Sequence, residues 1–264
     1  MKTLIVGDVI GRVGRRTVKE LLQKTIDYYK IDFVIANAEN LAGGFGITRE
    51  TVDEMFQMGA DVLTSGNHVW DKKGGLKILE TEPRILRPAN YPPGKVPGRG
   101  AEVYEKGNQR IGVINIMGRV FMANYDDPFR VVDRELEWMS KETKLIFVDF
   151  HAEATSEKQA MGFHLAGRVT AVIGTHTHVQ TADEKILGEK TAYITDVGMA
   201  GPVDSVIGMR KDEALKRFYT NMPQRFQEVA GGKGIMGAAL VEADDRTGHA
   251  KSIKRLSLNH EPQI

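Results

Sequence analysis

Five short apolar runs in this 264-residue chain each stop on residues that can bind a metal or move a proton. Thr3 to Val6 leads into Gly7-Asp8, and Phe33 to Ala36 leads into Asn37, Glu39 and Asn40. Ala60 to Thr64 leads into Gly66-Asn67-His68. Leu145 to Phe150 ends at His151, and Ala171 to Ile173 ends at Gly174 and His176-Thr177-His178. Short apolar runs bounded by glycine and polar residues suit buried strands. In open α/β sheets ligands gather at the carboxyl ends of strands, so the five endings are expected to converge.

The intervening segments supply the other layers. Val18, Leu21, Leu22, Thr25 and Ile26 give an apolar helical face after Gly14. Thr48 is a candidate N-cap for a helix running to Met58, and further helices are expected over Leu76 to Glu80, Phe129 to Ser140 and Asp212 to Tyr219. Ala101 to Tyr104 and Arg110 to Ile116 read as paired strands, as do Ile235 to Ala243 and Ala250 to Leu258 across the turn at Asp244 to Gly248. Thr191 to Thr195 is a strand leading to a loop from Asp196 to Pro202, and Arg87 to Gly100 is an irregular surface segment. Helices alternate with strands early and strand pairs dominate late. The expectation is an α/β fold with α+β character: a four-layer sandwich of two packed mixed β-sheets flanked by helices, as one domain over residues 1–264.

Composition narrows the chemistry. With no cysteine, any metal must be held by imidazole, carboxylate, amide and water. A net charge of +1 leaves no polybasic footprint for duplex DNA. No apolar run approaches the ~20 residues that span a bilayer. Met1 to Val6 reads into a strand rather than a signal peptide, so a soluble cytoplasmic protein is expected.

Each motif has a plainer reading. Gly7 to Gly14 lies between strand and helix, but its spacing is not Gly-x-Gly-x-x-Gly, and Asp8 would oppose a pyrophosphate. Taken alone, Asp8, Glu39, Asn40 and His151 could be ordinary loop or structural residues. His176 and His178 are harder to dismiss: alternate residues on an extended segment face the same way, and on a curled one they reach two neighbouring metals. Asn67 and His68 are two ligands, or one ligand and one acid. His164, His249 and His260 read as surface residues, and Asp71 and Asp149 as surface or supporting residues. The Asp196 to Pro202 loop either shapes a substrate pocket or simply connects its neighbours. Arg12, Arg15 and Arg16 either attract an anion or form a solvated helix face.

Together, Gly7-Asp8, Gly66-Asn67-His68, His151 and Gly174-Thr175-His176-Thr177-His178 resemble the calcineurin-like metallophosphoesterase superfamily. Ile10 stands where that superfamily usually has a histidine, and Ala38-Glu39-Asn40 where it has Gly-Asp. Both departures, with the Gly43-Gly44-Phe45-Gly46 segment and Asn67-His68-Val69-Trp70-Asp71, resemble the YmdB-type bacterial branch. That resemblance implies a two-metal centre between two sheets. One metal would be held by Asp8, Glu39, Asn40 and His178, the other by Glu39, Asn67, His151 and His176. It also implies hydrolysis of 2′,3′-cyclic nucleotides, often with iron; manganese and zinc tolerate the same ligands.

Two such ions can share a hydroxide and clamp the phosphoryl oxygens. His68, beside Asn67, is then the expected proton donor to the departing oxygen. The alternatives are a metal-dependent phosphomonoesterase or protein phosphatase, and a regulatory nucleotide-binding or RNA-processing module with low turnover. The expected partner is a small cyclic nucleotide, with neither duplex DNA nor membrane, and the loops from Pro88 to Pro97 are candidates for contacts between copies.

Overall fold

A computed structural model describes residues 1–261. In chain order the elements are β1 (Lys2–Val6), β2 (Asp8–Val9), α1 (Gly11–Tyr29), β3 (Phe33–Asn37), α2 (Arg49–Gln57), β4 (Val62–Thr64) and α3 (Gly75–Thr81). They continue with β5 (Ala101–Lys106), β6 (Gln109–Met117), α4 (Pro128–Glu142), β7 (Leu145–His151), α5 (Thr155–Leu165), β8 (Ala171–Thr175) and β9 (Lys185–Leu187). Last come β10 (Thr191–Ile194), β11 (Met199–Pro202), α6 (Lys211–Thr220), β12 (Gly234–Ala243) and β13 (Ala250–His260).

The strands form two mixed sheets. The first has seven strands in the order β2-β11-β12-β1-β3-β4, with β13 also paired to β12; the second has six in the order β5-β6-β7-β8-β10-β9. Within the first, β1, β3 and β4 are parallel, pairing Val6 with Ala36 and Asn37 with Thr64. Within the second, β6, β7 and β8 are parallel, pairing Met117 with His151 and His151 with Thr175. Parallel register brings the carboxyl ends of each set level, so the polar endings share one rim.

Side-chain alternation along the strands sets the layers. Ile5, Phe33, Ile35 and Val62 from the first sheet pack against Ile111, Val113, Leu145, Phe147, Ala171 and Ile173 from the second. Leu4, Val6, Val34 and Ala36 point outward, where they meet Val18 and Leu22 of α1 and Val52 and Met55 of α2. Ile146, Val148 and Val172 point outward on the other side, against Val131, Leu136 and Met139 of α4 and Met161 and Leu165 of α5. The result is the expected helix–sheet–sheet–helix sandwich. No helix among the described residues is long and apolar enough to cross a membrane.

Helix ends follow local chemistry. Thr48 caps α2 in a capping box with Thr51, as its sequence position suggested. Asp127 caps α4 by accepting from the N–H groups of Phe129 and Arg130, which places Pro128 in the first helical turn, one residue before the expected start. Four elements depart from expectation. The segment from Asp196 to Pro202 is not all loop, because β11 pairs with both β2 and β12. The short β2 and β9 have too few residues to show a period. Helix α5 buries Glu157 and Lys158, which blurs the apolar stripe that would reveal it.

Candidate metal centre

The inward-facing row of each central strand turns polar at its end. Phe33 and Ile35 are followed by Asn37, Val62 by Thr64, Leu145 and Phe147 by Asp149 and His151, and Ala171 and Ile173 by Thr175. Asn37, Thr64, Asp149, His151 and Thr175 are all buried. They form a network centred on Asp149, which accepts from Thr64 Oγ1 at 2.5 Å, Thr175 Oγ1 at 2.6 Å and Asn37 Nδ2 at 3.2 Å. Burial raises the Asp149 carboxyl above its ordinary value, against the pull of His151 and these donors. Because the Thr175 hydroxyl donates to Asp149, it accepts from His151 Nδ1 at 2.9 Å. In the neutral ring the other nitrogen, Nε2, is the one that keeps its lone pair and can serve as a ligand.

That nitrogen faces a crowded set of donor atoms. Glu39 Oε1 lies 3.2 Å away and His176 Nδ1 3.0 Å away. Glu39 belongs to two groups whose ligand atoms lie within 4.8 Å of one another: Glu39, His151 and His176, and Asp8, Glu39 and His178. A carboxylate common to both groups is suited to bridging two cations. His178 Nδ1 donates to the Ile207 carbonyl at 2.8 Å, which frees its Nε2 to approach Asn40 Nδ2 at 3.2 Å and Asp8 Oδ1 at 3.8 Å. His176 Nε2 is held by Glu153 at 3.1 Å.

The residues are positioned at a backbone cost. His176 and His178 have φ values of +98° and +66°, a region that disfavours side chains. The segment curls instead of staying extended, so the two imidazoles reach different groups. Asp8 Oδ2 accepts from the His176 N–H at 3.1 Å, and Asp196 Oδ2 from the Thr177 N–H at 3.1 Å. Asp196 is paired at 2.5 Å with Lys158, whose Nζ also donates to the Thr175 carbonyl at 2.7 Å. Gly66 is required by close approach: a Cβ there would come within 2.2 Å of His151 Nε2 and 2.3 Å of Glu39 Oε2.

Several donors in this cluster lack a partner. Among the described residues six buried side-chain N or O atoms have no hydrogen bond, and three are Asp8 Oδ1, Asn40 Oδ1 and Asn67 Oδ1. A buried oxygen without a partner is costly, so finding half of them on expected ligands suits a cation-binding cradle. Charges are displaced in the same sense. Burial works against a charge on His151, yet Glu39, Asp8 and Asp149 outweigh it and raise its pKa to about 9. Burial tends to lift Glu39, but His151 and the His68 contacts hold it well below the usual carboxylate range. Burial lifts Asp8 to about 6, and burial with neighbouring His151 pushes His176 down to about 3. Oxygen and imidazole ligands of this kind fit iron, manganese or zinc, which would replace the protons the cluster otherwise shares.

His68 sits at the edge of the same cavity. Its backbone N–H donates to Glu39 Oε2 at 3.0 Å, and its Nδ1 contacts Asp71 Oδ2 at 2.8 Å. The Phe45 ring packs edge-on against the imidazole at 5.0 Å. Nε2 is therefore the nitrogen left for proton transfer. Asp8, Glu39, Asn40, His68, His151, His176 and His178 lie at this rim, and Asn67 lies in the chain between Gly66 and His68, which both face Glu39.

Other candidates fall elsewhere. His164 is half-buried and pairs with Asp133 at 2.9 Å, and His249 lines a separate cleft beside Lys144 and Thr247. Asp149 is a buried hub and not a surface residue. Arg15 is committed to Glu54 and the Leu41 carbonyl, and Arg16 donates to the Gly232 carbonyl. Sequence reasoning missed Glu153 and Lys158, and it marked Asn37 as a strand-end residue and Asp196 as the start of a loop without finding the supporting roles they hold. The inward placement of Asn37 was open to inference, since it continues the row Phe33, Ile35.

The sequence profile of the YmdB-like protein family matches residues 4–256. The 2′,3′-cyclic-nucleotide 2′-phosphodiesterase of Bacillus subtilis is 47% identical over 259 residues, covering 98% of this chain and 97% of that protein. A hypothetical protein from Thermus thermophilus superposes with a TM-score of 0.92 at 41% identity, covering 99% of this chain and 100% of the other. A novel phosphatase from Mycoplasma pneumoniae gives a TM-score of 0.93 at 31% identity, covering 99% and 94%.

Proposed function

The chain belongs to the YmdB-like protein family, and we propose that it hydrolyses 2′,3′-cyclic nucleotides, opening the bond to the 2′ oxygen and leaving a 3′-phosphomonoester. One metal ion is assigned to Asp8, Glu39, Asn40 and His178, and a second to Glu39, Asn67, His151 and His176. Iron is the proposed metal, with manganese and zinc compatible with the same donors. The observation that carries this reading is Glu39, shared by two carboxylate–imidazole groups beside three buried oxygens that lack partners.

When bound, such ions activate water and neutralise charge on the phosphoryl oxygens. The chain itself must protonate the departing 2′ oxygen, and His68 is the group assigned to do so. Asp71 on Nδ1 orients the ring, so that Nε2 is the nitrogen placed to hand over a proton. The His68 backbone N–H meanwhile steadies Glu39, coupling the acid to the proposed bridging ligand. The Asp149–Thr175–His151 chain fixes the tautomer that keeps His151 Nε2 free, and the Ile207 carbonyl does the same for His178.

The test is metal content measured together with hydrolysis of 2′,3′-cyclic AMP and of 4-nitrophenyl phosphate on one preparation. Two metal equivalents with faster turnover of the cyclic diester are expected. Turnover of the monoester at an equal or greater rate would replace this reading with a phosphomonoesterase.

A further inference from the structure

Two cavities meet at one aromatic wall. The first, about 500 Å³, opens over the ligand cluster with Glu153 and Thr177 beside it, and its apolar wall is Phe45, Ile207, Met209 and Phe226. The second, about 510 Å³, shares Phe45 and Phe226 and adds Lys72 and Arg225. Neither Lys72 nor Arg225 has an ion pair among the described residues. The acid in this second cavity, Glu228, is already committed to the Arg12 backbone N–H at 3.1 Å.

The wall is a built feature. A β-bridge joins Met209 to Glu228, the Arg210 N–H donates to the Gln227 carbonyl at 2.9 Å, and the Val229 N–H donates to the Gly208 carbonyl at 3.1 Å. The same turn is tied to the ligand cluster through the Ile207 carbonyl and His178. Gly44, at φ +84°, keeps the opposite side clear, since a Cβ there would come within 3.2 Å of Met209 Cε. Phe226 remains 36% exposed, an aromatic face presented beside a polar site.

We propose that Phe45 and Phe226 stack the nucleobase of the substrate, and that Lys72 and Arg225 receive the phosphate on its 5′ side. The enzyme then acts best on a nucleic-acid strand ending in a 2′,3′-cyclic phosphate, with the free mononucleotide a poorer substrate. The proposal rests on the cyclic-phosphate reading above. The ribose separates its 2′,3′ edge from its 5′ carbon, so a cyclic phosphate over the ligand cluster sends the 5′ side away, toward the second cavity. The Phe45, Ile207, Met209 and Phe226 side chains offer no nitrogen or oxygen to a base edge. Stacking on this apolar wall is itself indifferent to base identity.

Calorimetry on manganese-loaded protein tests this with ligands that lack the cyclic diester, each checked for phosphate release during the titration: ribose 3-phosphate, adenosine 3′-monophosphate and adenosine 3′,5′-bisphosphate. The base is expected to tighten binding by about 5- to 100-fold, an increment lost in Phe226→Ala and partly kept in Phe226→Leu. The 5′ phosphate is expected to add about 2- to 5-fold, weakening with salt and lost in Lys72→Ala combined with Arg225→Ala. Bound manganese should be unchanged in these variants. Equal affinity for the three ligands, or increments that survive the substitutions, would overturn the proposal. These increments without opening of any cyclic phosphate would leave the subsite standing and remove the diesterase. Opening of cyclic AMP without the increments would do the reverse.

Discussion

Two buried polar clusters lie side by side at the rim of the second sheet, and they are completed in opposite ways. In one, Lys158 meets Asp196 and the Thr175 carbonyl, while Asp196 also receives the N–H groups of Thr177 and Gly198. Every charge there is matched by another part of the chain. In the other, Asp8, Asn40 and Asn67 each keep an oxygen without a partner, and the His151 and His176 nitrogens stand 3.0 Å apart. A chain that satisfies one cluster fully could have satisfied its neighbour. The contrast separates an ion pair closed by the protein from a group of carboxylate, amide and imidazole atoms suited to a cation.

The sharpest test of the contrast removes a charge from the open cluster. Asp8→Asn is expected to empty or weaken one metal position and to lower turnover by about 10⁴-fold or more, read by metal analysis beside the cyclic-nucleotide assay. Full metal content in this variant would break the comparison. Next in size is His68→Ala, expected to cost about 10²–10⁴-fold in turnover while both metals stay bound. Metal lost together with activity would move His68 from proton donor to ligand or prop.

The closed cluster should answer with stability. Lys158→Met leaves Asp196 buried without its cation, and chemical denaturation is expected to show a loss of about 3–5 kcal/mol. An unchanged midpoint would mean that the pair is dispensable and the distinction false. The smallest effect concerns Asp183, which accepts from Thr181 Oγ1, the Thr195 N–H and Thr195 Oγ1 at the edge of the closed cluster. Burial pushes its carboxyl up, but these donors outweigh it and hold the group below its ordinary 3.8. A depressed folded value means that its stabilisation is complete above about pH 4 and fades as pH falls through that value. Asp183→Asn should cost about 1 kcal/mol at neutral pH and flatten this acid limb of the stability curve.

The open cluster was largely legible in the amino-acid order because its residues follow apolar runs directly. Gly66-Asn67-His68 and His176-Thr177-His178 announce themselves by local spacing, and parallel register does the rest. The closed cluster was not legible, since Lys158 lies 38 residues from Asp196 and nothing local connects them. Glu157 and Lys158 also hid α5, because buried charges break the periodicity by which a helix is recognised. Asp149 shows a middle case: its place in the row Leu145, Phe147, Asp149, His151 marks it as inward-facing, but its hub role depends on Thr64 and Asn37 from the other sheet. The curl at His176 and His178 needed φ values that residue type does not announce.

The position of β1 in the first sheet has a consequence for the life of the chain. β1 lies between β3 and β12, and although β3 follows it closely in the chain, β12 begins only at Gly234. A nascent chain can pair β1 with β3 early but must wait for its late portion before the other side is covered. Asp8 follows β1 directly, and its strand is tied through β11 to β12. Ions from the surrounding medium would therefore meet scattered ligands during synthesis and an assembled cradle only near its close. On the proposed metal assignment, loading would be a late event in biogenesis, and a product cut short before Gly234 would lack the paired strands that hold Asp8 in place.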